Sequence, residues 1–251
     1  MQNMLVKNAL VQALASQSLY VVYQAQNQIQ TGELVGLEVL CRLNTPELGE
    51  VSPEEFIAVA EANGLIGQLE QFVLKQVALD LPLILSRYPS ARLSVNLSAR
   101  HLAEADFFSN IQAWMQTLNP ASIQHLDFEI TETQIQNFDA TLLQGLNTLR
   151  QTGIRIVMDD FGSGQSSLSR LHTLPFDVIK LDKQFAQQID HPMVRAIVKA
   201  VVDFTHQFHL ELIVEGVETQ AQREVLQETG CQIVQGFFFG QPARLSHWIN
   251  T

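Results

Sequence analysis

The sequence IRIVMDDFGSG at residues 154–164 joins a short apolar run to two adjacent carboxylates and a glycine-rich turn. Seven short apolar runs in the chain end in a polar residue that can bind metal or move protons. The residues at these ends are Glu38, Asn96, Glu129, Asp159 with Asp160, Lys180, Glu215 and Gln235. From Asn96 onward the ends are roughly 20 to 35 residues apart, the span of a strand, a helix and two loops. This repetition predicts a parallel α/β barrel with one polar ring at its C-terminal mouth, where barrel enzymes place their chemistry.

The composition favours one such barrel over residues 1–251, because 46% hydrophobic and 16% charged residues can fill a large core. Two helices are expected between Glu38 and Asn96. Residues 52–55 and 219–222 have the pattern of capped helix starts.

Apolar stretches in the chain are too short or too interrupted to span a bilayer. The stretch Met1–Ala15 carries polar residues within its apolar pattern and is interpreted as an amphipathic helix, not a signal peptide. Cys41 and Cys231 have apolar neighbours and are expected to be reduced thiols of a cytoplasmic protein. The formal net charge of -11 argues against binding to DNA or RNA.

Oxygen ligands from successive strands suit a hard divalent cation such as Mg²⁺ or Mn²⁺. Carboxylates gathered at a dry barrel mouth would be driven to protonate without a compensating cation, so a purely structural role for the ring is disfavoured. Because side chains alternate along a strand, Asp159 and Asp160 should not both face the lumen unless the strand has ended. Asp160 is therefore expected to belong to the following loop and to reach a second metal.

Several residues have two interpretations. Lys180 could be a surface lysine, or it could orient or deprotonate a water or neutralise phosphate. Glu132 and Glu218 are each either solvated or an anchor for a loop or for the site. The segment Phe237–Phe239 is expected to be a buried continuation of a strand rather than a platform for stacking bases.

The order of motifs resembles that of the EAL-domain cyclic di-GMP phosphodiesterases, from Tyr23-Gln24 to Gln241-Pro242. The motifs are Glu38-Val39-Leu40 with Arg42, Ser52-Pro53, Asn96-Leu97-Ser98, Glu129-Ile130-Thr131-Glu132, Asp159–Gly164, Lys180-Leu181-Asp182, Glu215–Thr219 and Gln235-Gly236. The resemblance implies a TIM-like (β/α)8 barrel whose first strand, near Leu19–Gln24, runs antiparallel to the others. It also implies hydrolysis of one phosphodiester of the bacterial second messenger cyclic di-GMP to linear pGpG.

Roles are implied by the same resemblance. One metal would be held by Glu38, Asn96, Glu129 and Asp159, and a second by Asp159, Asp160 and Glu215. Lys180 would contact the attacking water, with Glu215 as the other candidate for assisting its deprotonation. Substrate would be contacted by Gln24, Leu40, Arg42 and Gln235, with Arg42 on phosphate. Glu132 would anchor the loop after Asp160, and Asp182 and Glu218 would support the site. The ions would be two Mg²⁺ or Mn²⁺, Ca²⁺ would inhibit, and a homodimer is expected.

The chain departs from the family pattern at four positions, which are Ala25 for Pro, Val39 for Ala, Leu43 for Trp and Gln165 for Tyr. By alternation Val39 should point away from Glu38. A receptor that binds cyclic di-GMP without cutting it is the alternative function. Such receptors typically lose metal ligands, and here every ligand position is retained. Fold alone would also allow another metal-using barrel enzyme, for example one that stabilises an enolate.

Overall fold

A closed barrel of eight strands lies at the centre of the protein in the computed structural model, which describes residues 2–16, 18–132, 139–164 and 174–250. The barrel strands are β1 (Tyr20–Gln28), β2 (Leu34–Thr45), β4 (Arg92–Asn96), β5 (Leu126–Thr131), β6 (Arg155–Phe161), β7 (Val178–Leu181), β8 (Glu211–Val214) and β9 (Ile233–Gln235). A short strand, β3 (Gly49–Val51), pairs with the end of β2. Strand β1 is antiparallel to both β2 and β9, and all other barrel neighbours are parallel. The expected barrel and its antiparallel first strand are therefore confirmed.

Helices cover the outside of the barrel. They are α1 (Gln2–Ser16), α2 (Pro53–Ala62), α3 (Ile66–Arg87), α4 (Ala99–Leu102), α5 (Phe107–Met115), α6 (Pro120–Ile123), α7 (Ala140–Gln151), α8 (Lys183–Gln187), α9 (Pro192–Gln207), α10 (Gln220–Glu228) and α11 (Leu245–Ile249). The two helices expected between Glu38 and Asn96 are α2 and α3. Thr219 and Gln222 form the predicted capping box, whereas Ser52 makes no side-chain hydrogen bond at the start of α2.

The helix predicted at the N-terminus is present as α1, which buries Val6, Leu10 and Ala13 against the core. Both cysteines are free thiols. Among the described residues, no helix has the length and apolar character needed to cross a membrane.

Side chains that face the barrel interior form three levels. At the N-terminal end of the strands lies an ionic level of Arg92, Asp127, Arg155 and Glu211. Above it lies an apolar level of Val157, Val178, Ile213 and Ile233. The C-terminal level holds the polar ring predicted from the sequence. Because the apolar level separates the two ionic levels, the lower level acts on stability and the upper level is free for chemistry.

Strand β2 is longer than the sequence pattern predicts. It continues past Glu38 to Thr45, because its second half pairs with β1 from Tyr20 and then with β3. Glu38 therefore lies within a strand and is held on both sides by backbone pairing. This precise placement is unavailable to a residue in a loop.

The expectation of a buried strand at Phe237–Phe239 is wrong. Strand β9 ends at Gln235, and Phe237 and Phe238 are exposed in the loop that follows. Gly236 explains the turn, because a Cβ at this position would lie 2.1 Å from the carbonyl oxygen of Val217. The Phe238 N–H donates to the same carbonyl, so this loop is fixed against the loop after β8.

Candidate active site

Lys180 lies at the centre of the polar ring and is fully buried. Its Nζ is 2.8 Å from Glu215 Oε1, 2.9 Å from Glu129 Oε2 and 3.2 Å from both Glu38 Oε2 and Asp159 Oδ1. Burial opposes the charge of this ammonium, but the surrounding carboxylates outweigh burial and raise the pKa of Lys180 well above its ordinary value. The interpretation of Lys180 as a surface lysine is therefore wrong. Its cation compensates part of the negative charge of the ring.

Glu38 connects Lys180 to the neighbouring strands. Its Oε1 accepts from Asn96 Nδ2 at 2.9 Å, and its Oε2 accepts from Gln235 Nε2 at 2.5 Å. Side chains from β4, β7 and β9 thus contact this carboxylate, and Gln24 on β1 lies 3.3 Å from the same Gln235 nitrogen. Burial works to raise the pKa of Glu38, but Lys180 and the two amides more than offset it, and the pKa is lowered. Glu38 is thus held ionised.

Asp159 and Asp160 are brought to the same site by a bulge in β6. The pairing of Met158 with Ile179 is followed by that of Phe161 with Leu181, so β6 carries one extra residue over this interval. Asp160 has a left-handed backbone with φ of 56°. The expectation that the strand ends at Asp159 is wrong, since β6 continues to Phe161. The bulge, and not the end of the strand, turns the Asp160 side chain toward the site.

Carboxylate oxygens of Asp159, Asp160 and Glu215 lie within 4.8 Å of one another, close enough to share a cation. Burial raises the pKa of Glu215 to about 8, with Lys180 opposing and Asp159 reinforcing the shift. Burial and the charges of Asp159 and Asp182 raise the pKa of Asp160 to about 6. Without a cation, this cluster therefore retains protons that free carboxyl groups would lose.

The residues present fit a divalent cation. Burial raises the pKa of Glu129 and of Asp159 despite the opposing charge of Lys180. Within the described part of the chain, Glu129 Oε1 is buried with no hydrogen-bond partner, and the contact found for Asp159 Oδ1 is the 3.2 Å ion pair with Lys180. Buried oxygens normally have hydrogen-bond partners, so these two oxygens are available to coordinate a cation. The side chains predicted to bind metal all offer oxygen ligands, which Mg²⁺ and Mn²⁺ prefer.

Glu132 contacts the loop that follows Asp160. Its Oε2 accepts from the Gly162 N–H at 2.9 Å, and Gln184 Nε2 donates to the Gly162 carbonyl at 2.7 Å. Asp182 caps α8 by accepting from the Gln184 N–H, which positions Gln184 for that contact. Gln165 and the serines after it lie outside the described residues. Glu218 is exposed, and its supporting role stays a prediction.

A cleft of about 410 Å³ opens beside the ring. Its lining includes Leu40, Arg42, Asn96 and Asp160, so two of the predicted substrate contacts lie beside predicted metal ligands. Gln24 and Gln235 do not belong to this lining; Gln235 instead contacts both Glu38 and Gln24. Val39 points away from the ring into the outer core, as predicted, and Leu43 is buried against the core that includes Leu10.

The sequence analysis missed Glu61 and Glu70, which also line this cleft. A signal was available for Glu70, since it is a carboxylate among the apolar residues Ile66, Leu69 and Val73 on the buried face of α3. A charged residue at such a position is rarely buried without a partner.

Comparison with known proteins matches this architecture. The EAL domain family model matches residues 7–242. The chain is 35% identical over 248 residues to the cyclic di-GMP phosphodiesterase NbdA of Pseudomonas aeruginosa, covering 98% of this chain and 31% of that protein. It is 36% identical over 231 residues to the cyclic di-GMP phosphodiesterase RocR of the same species, covering 91% and 58%.

A solved structure of the PaMucR phosphodiesterase in complex with c-di-GMP superposes with a TM-score of 0.88 at 32% identity. That match covers 98% of this chain and 99% of the other. The chain thus spans about a third of the length of NbdA but nearly all of the solved PaMucR domain. The match extends over both the barrel and the residues of the polar ring, and the chain belongs to the EAL domain family.

Proposed function

We propose that this protein is a cyclic-guanylate-specific phosphodiesterase that hydrolyses cyclic di-GMP to linear pGpG with two Mg²⁺ or Mn²⁺ ions. The observation that carries the proposal is the convergence of every predicted metal-ligand position on one barrel mouth around Lys180. The residues proposed for one ion are Glu38, Asn96, Glu129 and Asp159, and those for the second are Asp159, Asp160 and Glu215. The names of the relatives support the same substrate.

Each residue has a chemical task in this proposal. Bound cations would activate a water and stabilise charge on the phosphate. Lys180 Nζ, an ammonium 2.8 Å from Glu215 Oε1, would orient the attacking water by donating to its oxygen, and the Glu215 carboxylate would accept the proton that the water loses. Arg42 and Leu40 line the cleft, where Arg42 would bind a phosphate oxygen and Leu40 would pack against a base. Gln235 and Gln24 would contact substrate, while Glu132, Asp182 and Glu218 would support the loops around the site.

Metal identity provides the direct test. We expect pGpG from cyclic di-GMP with Mg²⁺ or Mn²⁺, none after chelation, and inhibition by Ca²⁺, because the longer bonds and higher coordination number of Ca²⁺ misplace the attacking water. Chromatography of the products measures each rate. Equal rates with Ca²⁺ and Mg²⁺ would contradict the two-metal proposal. Binding of cyclic di-GMP with no pGpG under any metal would instead favour the receptor function.

Metal binding should depend on pH. Glu215, with a pKa of about 8 from burial, and Asp160, with a pKa of about 6 from burial and nearby carboxylates, hold protons that a cation must displace. Affinity for Mn²⁺ should therefore rise as the pH rises from about 6 to about 8, the interval in which these two groups lose their protons without metal. Calorimetry in buffers of different ionisation enthalpy counts the released protons. Release that is equal at about pH 6 and about pH 9 would contradict this assignment.

We place the site in a single domain over residues 1–251, in a cytoplasmic compartment, where two free thiols are chemically stable. A homodimer is supported by family resemblance, and sedimentation analysis would test it. DNA and RNA are not expected as partners, given the net charge of -11.

A further inference from the structure

Glu70 connects helix α3 to the segment that carries Asn96. Its Oε1 accepts from the Ser98 N–H at 2.7 Å, and its Oε2 is 2.6 Å from His101 Nδ1. A carboxylate can only accept, so His101 donates from Nδ1. The side chains of Glu70 and His101 are 6% and 4% exposed, so both bonds are made in a largely water-free environment.

Ser98 is held at a second point by α2. Its hydroxyl donates to Glu61 Oε1 at 2.6 Å, and Arg100 Nη1 donates to the backbone carbonyl of Glu61. The Leu97 N–H donates to the carbonyl of Glu129 at 2.8 Å. Leu97, Ser98 and Arg100, which follow β4, are therefore fixed by contacts with β5, α3 and α2.

The imidazole of His101 is itself locked. It packs edge-on against Phe107, with ring centroids 5.0 Å apart, and a Cβ on Gly67 would lie 3.1 Å from its Nε2. Rotation of the ring would break this packing. The orientation of Nδ1 toward Glu70 is thus set by shape as well as by charge.

Asn96 lies two residues before Ser98. Among the described residues, it is the only predicted metal ligand that is exposed to solvent. Burial does not restrain it, so its position depends on its bond to Glu38 and on its backbone. Its backbone pairs with Glu129 on β5, and the Glu70 and Glu61 contacts to Ser98 restrain the same segment where it leaves that pairing.

We propose that Glu70, with His101, is a positioning unit that holds Asn96 in place as a metal ligand from outside the barrel. This inference rests on the proposed function for the identity of the metal site. Loss of a group that orients a ligand typically lowers metal affinity by about 10- to 100-fold. Glu70→Gln has nearly the same shape but cannot accept from both Ser98 and His101 with two oxygens.

A double-mutant cycle tests the proposal through binding of Mn²⁺ without substrate, measured from the free-ion signal in electron paramagnetic resonance. We expect Glu70→Gln to weaken Mn²⁺ binding about tenfold in the wild-type background. In the Asn96→Ala background the same change should weaken binding less than about twofold, because the ligand that Glu70 positions is gone. A merely structural role would weaken binding equally in both backgrounds. Equal weakening, or none, overturns the proposal.

Two further variants keep the experiment decisive. Glu104→Gln removes an exposed carboxylate 4.0 Å from the other nitrogen of His101 and should leave Mn²⁺ affinity unchanged. His101→Leu removes the Nδ1 donor and should weaken binding in the same direction even if Glu70→Gln does not fold. If wild-type protein binds Mn²⁺ but forms no pGpG, the proposed function fails and this inference stands. If it forms pGpG and Glu70→Gln binds Mn²⁺ equally well, only this inference fails.

Discussion

Glu38→Gln should lower the rate of cyclic di-GMP hydrolysis by about a thousandfold or more, the scale of losing charge stabilisation at a catalytic centre. The substitution preserves the shape of the side chain but replaces one carboxylate oxygen with an amide nitrogen, which cannot coordinate a cation. It also removes the charge that faces Lys180 at 3.2 Å. Because Lys180 is the one cation of the buried ring among the residues that the structure describes, loss of this ionised group alters the charge balance of the whole site. Formation of pGpG under saturating Mg²⁺ measures the effect.

Glu33→Gln is the matched control for that experiment. Glu33 is exposed directly before β2, so the same chemical change falls on the same segment without touching the ring. Its rate should equal that of the wild-type protein. Circular dichroism should show folded protein for both variants. A Glu38→Gln rate within about tenfold of wild type would remove Glu38 from the catalytic site.

Asp127→Ala should lower the free energy of unfolding by about 3 to 5 kcal/mol, as expected when one partner of a buried ionic group is removed. Asp127 is 1% exposed, and its two oxygens accept from Arg92 Nε at 2.7 Å and from Arg155 Nη2 at 2.6 Å. Its removal leaves two arginines facing each other at the lower end of the barrel. Glu211, 3.0 Å from Arg155, can compensate only one of them.

Thermal unfolding measures this effect, with an expected fall in Tm of roughly 6 to 20 °C for a chain of this size. Asp203→Ala is the control, because it removes an ion pair with Lys199 in which both side chains are more than half exposed. Its effect should stay below about 1 kcal/mol, as exposed ion pairs contribute little. Similar shifts for the two variants would show that the lower ionic level is not a determinant of stability.

Local patterns in the sequence predicted much of this protein. Strand spacing and polar residues at strand ends predicted the barrel and its ring, since a strand places alternate residues on opposite faces whatever lies around it. The prediction that the first strand is antiparallel rested on family resemblance alone. The same local rule gave the wrong prediction at Asp160, because it assumed a regular strand and could not anticipate the bulge in β6.

The contacts that set the chemistry depend on closure of the barrel. Lys180 and Glu38 are 142 residues apart in the chain, yet their pairing lowers one pKa and raises the other. The support of Ser98 by Glu70 and the pairing of Asp127 with two arginines are also long-range contacts. The sequence by itself determined which ionisable groups the barrel mouth would contain. Only the tertiary structure decided which of them are charged and held in place, because burial and distance between strands control both.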